Sequence, residues 1–354
     1  MKKRLIAIIA CLCLVAGLLA ACGDSSSTTT ADDIGSSASA SDGKVYTLNV
    51  SQSDPESSAT GRFLEGWASR VEEASGGRIE INIYHGATIA GPKDTVDAVR
   101  NGLVDIGWGL QSLYDGMFPV TEAVTLPLLG IESAPHGTRA FWKFWEETDY
   151  MQEEYQDFHV LYLHTNCQSP IMLSSKSAVK KIENISDFQG LNIRANSGPP
   201  NMFVAELGAT PVGCAINDLY KNLETAEMDG CTAGWDAISS FKLDEVVGSY
   251  MDEDINVYTY FLLMNKSSYD ALPDDLKEIL DETTASCADL TSEWDVVQDE
   301  IKTQVADKLY KLSDSAKADL QAAADRTIEK WSAEHENGAE IVAKLKECIE
   351  ATRE

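Results

Sequence analysis

Apolar and polar positions alternate over residues 44–51, KVYTLNVS, and that period of two predicts a strand. The next segment, GRFLEGWASRVEEASGG, changes period. Phe63, Leu64, Trp67 and Val71 fall on one helical face, and Gly76 and Gly77 stop the helix. Ile79, Ile81 and Ile83 then line one side of a strand over 78–84. A helix over 93–100, closed by Asn101 and Gly102, precedes a strand over 103–108, LVDIGW. Strand, helix, strand, helix, strand is the order of an α/β lobe with a largely parallel sheet.

The proline-punctuated segment FPVTEAVTLPLLGI leads to an aromatic-rich helix over 136–155 and a strand over 158–164. A second set begins at Asn166. It has strands over 170–174, 190–194, 210–212 and 230–233, a helical turn over 184–187, and helices over 199–207 and 217–225. Residues 254–264, DINVYTYFLLM, read as one long strand that crosses back between lobes. From Pro273 to Leu312 no Gly or Pro interrupts a helical pattern. One helix along both lobes is expected there; two helices with a bend near Thr291 and Ser292 are the other reading. More helix fills 313–354, with a break at Asn337 and Gly338. These elements divide into lobe I over 44–165, completed by about 255–295, and lobe II over 166–254, completed by about 296–354.

The start of the chain has a different pattern. Lys2, Lys3 and Arg4 precede an apolar run from Leu5 to Ala21, which reads as a signal peptide over 1–21 rather than a spanning helix. The run ends Leu19-Ala20-Ala21-Cys22, which resembles the bacterial lipobox and marks Cys22 for acylation. Residues 22–43, mostly Ser, Thr, Ala, Asp and Gly, bury too little to fold and form a flexible tether. The expected arrangement is a protein lipid-anchored at the outer face of the cell membrane.

A net charge of −29 argues against nucleic acid as a partner, because its phosphates would be repelled. Five cysteines remain beyond Cys22: Cys167, Cys214, Cys231, Cys287 and Cys348. The number is odd and there is no CxxC pair, so free thiols are expected rather than a disulfide framework or zinc site. The five histidines have no metal-ligand spacing, and no nucleophile elbow or phosphate loop is present. No catalytic residue, metal or cofactor is read from the sequence. His85, at a strand end before Gly86, is a weak candidate for facing a cleft.

Arg194 stands out in FQGLNIRANSGPPNMF. It ends a strand, has no acidic residue within six positions, and precedes a helix start with Ser197 as N-cap candidate and Pro199 and Pro200 in the first turn. A guanidinium fork matches a carboxylate bidentately, and a helix N-terminus attracts anions. The residues alone leave two readings open: an anion site, or pairing to a distant Asp or Glu.

The segment ISDFQGLNIRA resembles the Asp-Leu-Lys-Gly-Leu-Lys-Ile-Arg signature of the solute-binding proteins of tripartite ATP-independent periplasmic (TRAP) transporters, the DctP-like family. ELGATPVGCAINDLYKNLETAEMDG continues it in register. GRIEINIYHGATIAG, AVRNGLVDIGWG, GMFPVTEAVTLPLL, GWDAISSFKLDEVV and LLMNKSSYDALPDDLKEIL resemble further family segments, over roughly 45–312. The resemblance implies a two-lobed α/β fold of the periplasmic-binding-protein type (type II), with a long helix along both lobes. It implies an organic acid captured by lobe closure, with Arg194 on its carboxylate, and delivery to integral-membrane TRAP permease subunits driven by an ion gradient. Many members carry a second arginine before the signature, where this chain reads LYLHTNCQSPIMLSSK, so it departs from a sialic-acid-type or dicarboxylate grip. Trp108 and Trp235 are expected to flank the cleft from opposite lobes and sandwich the solute. Gln111 and Ser112 are candidate donors, Cys214 a shape-setting residue, and Asp236 either a partner for a hydroxyl or a substrate-linked metal, or a hinge residue. The other functions considered are a binding protein of an ATP-driven importer and an exported enzyme or sensor domain.

Overall fold

The computed structural model describes residues 43–353; the leader, the lipidation candidate Cys22 and the tether to residue 42 lie outside them. The first elements are β1 (Tyr46–Ser51), α1 (Ala59–Ala74), β2 (Ile79–Tyr84), α2 (Thr95–Arg100), β3 (Ile106–Leu110), α3 (Ala134–Glu147) and β4 (Phe158–Thr165). The chain continues with β5 (Ile171–Ser174), β6 (Asn192–Arg194), α4 (Pro199–Glu206), β7 (Thr210–Val212), α5 (Ile216–Glu224), β8 (Gly230–Thr232), α6 (Trp235–Ser240) and β9 (Val247–Met251). Then follow β10 (Thr259–Asn265), α7 (Lys266–Asp270), α8 (Asp274–Ala285), α9 (Ser292–Gln304), β11 (Leu309–Tyr310), α10 (Asp314–Glu334) and α11 (Gly338–Ala351).

Two mixed sheets carry the two lobes. The first has the order β2-β1-β3-β10-β4 and the second β11-β9-β5-β8-β6-β7. The expected parallel pairing holds for β1 with β2 and β3, and for β6 with β7 and β8. Each sheet also takes in a strand of opposite direction: β10 runs antiparallel between β3 and β4, and β5 antiparallel between β8 and β9. That is the signature of a chain that passes twice between sheets, since a returning strand enters its sheet reversed.

The two crossings, 166–170 and 252–258, are laced together. Ser169 and Asn256 form an isolated antiparallel bridge, Ser169 N–H donating to Asn256 O at 2.9 Å and Ile255 N–H to Ser169 O at 2.9 Å. The Asn166 side-chain oxygen accepts from Tyr258 N–H at 2.8 Å. The long strand expected over 254–264 is therefore a crossing segment followed by β10.

Of the two readings for the segment after Pro273, the second holds: two α-helices joined by a 3-10 turn over Cys287–Thr291, and the helix ends at Gln304, before β11, rather than at Leu312. The physical reason is local. Thr284 Oγ1 donates to Leu280 O at 2.6 Å, Ser286 Oγ to Thr283 O at 2.7 Å and Thr291 Oγ1 to Ala288 O at 2.6 Å. A run of such side chains competes with the helical ladder for its carbonyls. The two pieces still run along both lobes, α8 packing on α1 and α9 on both α1 and α6. The C-terminal segment divides as well: α10 packs on α4 of the second lobe, but α11 returns to α3 of the first, so residues 296–354 do not belong to the second lobe alone.

Three apolar clusters follow from this arrangement. One lies behind the cleft and joins the lobes through Trp67, Trp235 and Trp294; one fills the outer half of the first lobe with α11, and one the second lobe with α10. Cys167, Cys231, Cys287 and Cys348 are buried free thiols, and Cys214 is half-buried and free.

Candidate functional site

The parallel strands of both lobes point their C-terminal ends, and antiparallel β10 its N-terminal end, at one cavity of about 660 Å³. Ligands of open α/β sheets collect at such ends, because the loops that follow diverge there and leave a crevice. From the first lobe the wall is made by the loop after β1 (Ser53, Asp54), the turn after β2 (Gly86, Ala87), Trp108 to Leu110 of β3, Asn166 after β4, and Tyr258 and Tyr260. From the second lobe come Arg194 and Asn196 after β6, Ala215 to Asn217 at the start of α5, and Ala233, Gly234, Asp236 and Phe241 around α6. Another cavity, of about 450 Å³, lies between Leu126, Ile131, Gln168, Asn256 and Gln321, and no Lys or Arg is among its described lining.

Arg194 is 4 % exposed. Its Nη1 donates to Thr232 O at 3.2 Å, the same carbonyl that accepts from the Tyr258 hydroxyl at 3.4 Å. Its Nε is buried without a partner, and no carboxylate pairs with it among the described residues. A buried cation with an orphan donor carries a desolvation cost that only an incoming anion offsets. Of the two readings left open by the residues, the structure removes pairing to a distant Asp or Glu.

The helix start beside it does not contribute as expected. The N-cap of α4 is Gly198, at φ 73°, and not Ser197. Pro199 and Pro200 bring no N–H, so the first turn has few donors to present. The Glu122 carboxylate of the first lobe sits against Gly198, where a β-carbon would come within 2.6 Å of it. Burial and the neighbouring Glu154 raise that carboxyl to about 7. The Ser197 hydroxyl instead donates to Ser112 O at 2.7 Å, tying one lobe to the other.

Trp108 lines the cavity from a fixed position. Its Nε1–H donates to His164 Nε2 at 2.9 Å and its ring stacks on Tyr260 at 4.7 Å and 13°. His164 Nδ1 therefore carries the proton and donates to Thr165 O at 3.2 Å. Burial pushes this histidine down to about 3, so it is neutral and holds one tautomer. The result is a rigid aromatic wall.

Trp235 is the main correction. It begins α6, is fully buried, and does not line the cavity. Its Nε1–H donates to Asp254 at 2.9 Å, its ring stacks on Tyr250 at 5.7 Å, and Lys302 caps it at 4.9 Å. The first residue of a helix projects where the helix axis sends it, here toward α9. Three other candidates also lie off the cavity. Gln111 turns to the Tyr155 hydroxyl at 3.2 Å, in the outer core of the first lobe. Ser112 offers its carbonyl to Ser197, and Cys214 packs against Met228 at 3.9 Å. His85 is held by Gln52 at 2.5 Å and Glu65 at 3.1 Å and is not in the lining.

Asp236 does line the cavity, beside the missed residues Asp54, Asn166, Tyr258 and Tyr260. Asn166 Nδ2 donates to Asp236 Oδ1 at 3.2 Å directly over Gly234, where a β-carbon would overlap both groups. Glycine at 234 is what lets this bond form. Asp54 accepts from Thr60 Oγ1 at 2.8 Å. Burial raises it to about 6, with the Asp236 charge adding to the shift. Signals for the missed residues were present: Asn166 is the first position past β4, Asp54 lies in the polar loop that follows β1, and Tyr258 and Tyr260 share a face at the strand period of two.

Comparison with known proteins identifies the family and the fold. Residues 50–336 match the model of the bacterial extracellular solute-binding proteins, family 7. The chain belongs to that family. As a family 7 member it is 25% identical to the sialic acid-binding periplasmic protein SiaP of Vibrio cholerae, over 77% of this chain and 81% of that one. In fold it is similar to a TRAP solute-binding protein of an unidentified marine microbe in complex with 3-hydroxybenzoate, with a TM-score of 0.80 and 24% identity over 88% and 100% of the two chains. The fold also matches a TRAP solute-binding protein of Rhodoferax ferrireducens with copurified benzoate, at a TM-score of 0.79 and 22% identity over 87% and 98%.

Proposed function

We propose that this family 7 protein captures an organic acid between its lobes, without turnover, and hands it to an ion-gradient-driven TRAP permease. The observation that carries the reading is Arg194: a buried guanidinium on the cavity wall with an orphan donor and, among the described residues, no carboxylate partner. The acid's carboxylate takes the fork, and lobe closure over it excludes water and strengthens the pair. The flat wall of Trp108 and Tyr260 suits an apolar or aromatic body, as in the relatives crystallised with benzoate and 3-hydroxybenzoate. The leader supports export and anchoring: Leu19-Ala20-Ala21-Cys22 fits acylation of Cys22, and replacing Cys22 by Ser is expected to release the protein from the membrane.

The site is tested by thermal shift against aliphatic, hydroxy, keto and aromatic acids. A solute at one hundred times its Kd stabilises the wild type by about 2.7 kcal/mol. Arg194→Ala is expected to lose that shift, and Arg194→Lys to recover only part, because an ammonium keeps the charge but not the fork. Full affinity in Arg194→Ala, or a preference for uncharged sugars, would sink the reading.

A further inference from the structure

The cavity is charged at two places of opposite sign. Arg194 marks one: its Nη1 rests on the Thr232 carbonyl, which also accepts from the Tyr258 hydroxyl. Asp54 and Asp236 mark the other, on the same lining as Tyr260, which stacks on Trp108. Neither acid has an ion-pair partner among the described residues. Their hydrogen bonds come from neutral groups: Thr60 on Asp54 at 2.8 Å, and Asn166 and the Cys167 thiol on Asp236 at 3.2 and 3.4 Å. The remaining charges on the lining, Lys93 and Asp94, are exposed neighbours of opposite sign.

A simple monoacid held at Arg194 would satisfy the cation and leave the two half-buried carboxyls with only their neutral donors. A dicarboxylate would set its second charge against them. We propose that Asp54 and Asp236 select organic acids carrying a hydrogen-bond donor, a hydroxyl or an ammonium, at the end remote from the carboxylate, and reject dicarboxylates. This rests on the carboxylate reading of Arg194 and adds a solute class to it. The selection works by attraction and exclusion together, since like charges juxtaposed in a dry site are costly. The shift of Asp54, raised to about 6 chiefly by burial, accords with a carboxyl that lacks a cation.

The experiment is calorimetric titration of the intact protein with two matched series. One is benzoate, 3-hydroxybenzoate, 3-(aminomethyl)benzoate and benzene-1,3-dicarboxylate. The other is pentanoate, 5-hydroxypentanoate, 5-aminopentanoate and glutarate. In the series that fits the cavity, the donor-bearing acids are expected to bind at least tenfold more tightly than the plain acid, and the dicarboxylate more weakly than either. Asp54→Asn and Asp236→Asn are expected to improve dicarboxylate binding severalfold and to remove the ammonium advantage. A hydroxyl advantage survives in them, because the amide oxygen still accepts, and that separates the two donor types. A wild type that binds the dicarboxylate as tightly as the donor acids overturns the selection, and this ranking needs no variant to fold. Binding that depends on Arg194 but shows no ranking overturns the donor selection alone. Failure of both series to bind overturns the carboxylate reading and the selection with it.

Discussion

Two tryptophans follow the same local pattern, a short apolar strand running into Gly-Trp. Trp108 comes after Gly107 inside β3, and Trp235 after Gly234 at the start of α6. Inside a strand, direction alternates strictly, so Ile106, Trp108 and Leu110 share a face and the Trp108 ring reaches the cavity. At a helix start the alternation has ended. Trp235 instead closes the seam between β9 and α9, with its N–H on Asp254 and Lys302 over its ring. A residue's distance from a strand end therefore says less about its access to a cleft than whether the ladder still includes it.

The sharpest break in that comparison is Trp235→Ala. It is expected to cost about 3–5 kcal/mol of unfolding free energy by emptying a packed seam, while the molecules that remain folded keep their solute affinity within twofold. Chemical denaturation paired with calorimetry separates the two; a large affinity loss at unchanged stability would return Trp235 to the cleft. Trp108→Phe is the counterpart. It leaves the buried His164 Nε2 without a donor, an expected loss of about 1–3 kcal/mol, and shifts a cavity wall, so stability and affinity fall together.

The acid side of the cavity gives a smaller, pH-dependent contrast. The Asp54 carboxyl is raised to about 6 in the fold from an ordinary 3.8, so its contribution to stability is full below about pH 4 and is lost as pH rises through 6. Relative to the wild type, Asp54→Asn is therefore expected to be more stable at pH 7.5 than at pH 4.5 in unfolding measurements without solute. His164 acts with the opposite sign: pushed down to about 3, it costs stability as pH falls below about 6.5. A wild-type-minus-variant difference that is flat between pH 4.5 and 7.5 would remove Asp54 from the buried acids. The smallest effect is expected for Ser197→Ala, which loses one bond between lobes. About 0.5–1.5 kcal/mol is at stake, readable as faster solute release with little change in the association rate.

Most elements of the fold were legible because their hydrophobic periods are strong. The helix of Phe63, Trp67 and Val71, the strand of Ile79, Ile81 and Ile83, and the break at Asn337 each carry a local cause. Whether the helix after Pro273 bends near Thr291 is not decided by the sequence, because hydroxyl and thiol groups from Thr284 to Thr291 disturb the ladder without any Gly or Pro to mark the place. Of the site, Arg194 could be picked out by its frame and Trp108 by its strand. Gln111, Ser112 and Cys214 sit within a few residues of the cavity lining yet turn to Tyr155, Ser197 and Met228, since rotamer and neighbour, not chain position, decide where a side chain ends.

Periodicity, glycine punctuation and the isolation of Arg194 from acidic residues are properties of the chain, and they determined two α/β lobes and a cation with no acidic neighbour in sequence. Only the tertiary structure decided that Asp54 and Asp236, far apart in sequence, line the same cavity as Arg194. Only the tertiary structure decided that Glu122 takes the α4 terminus and that Trp235 belongs to the core. Periods are set by bonds between near neighbours, whereas a cleft is assembled by two crossing segments that bring the ends of several strands together.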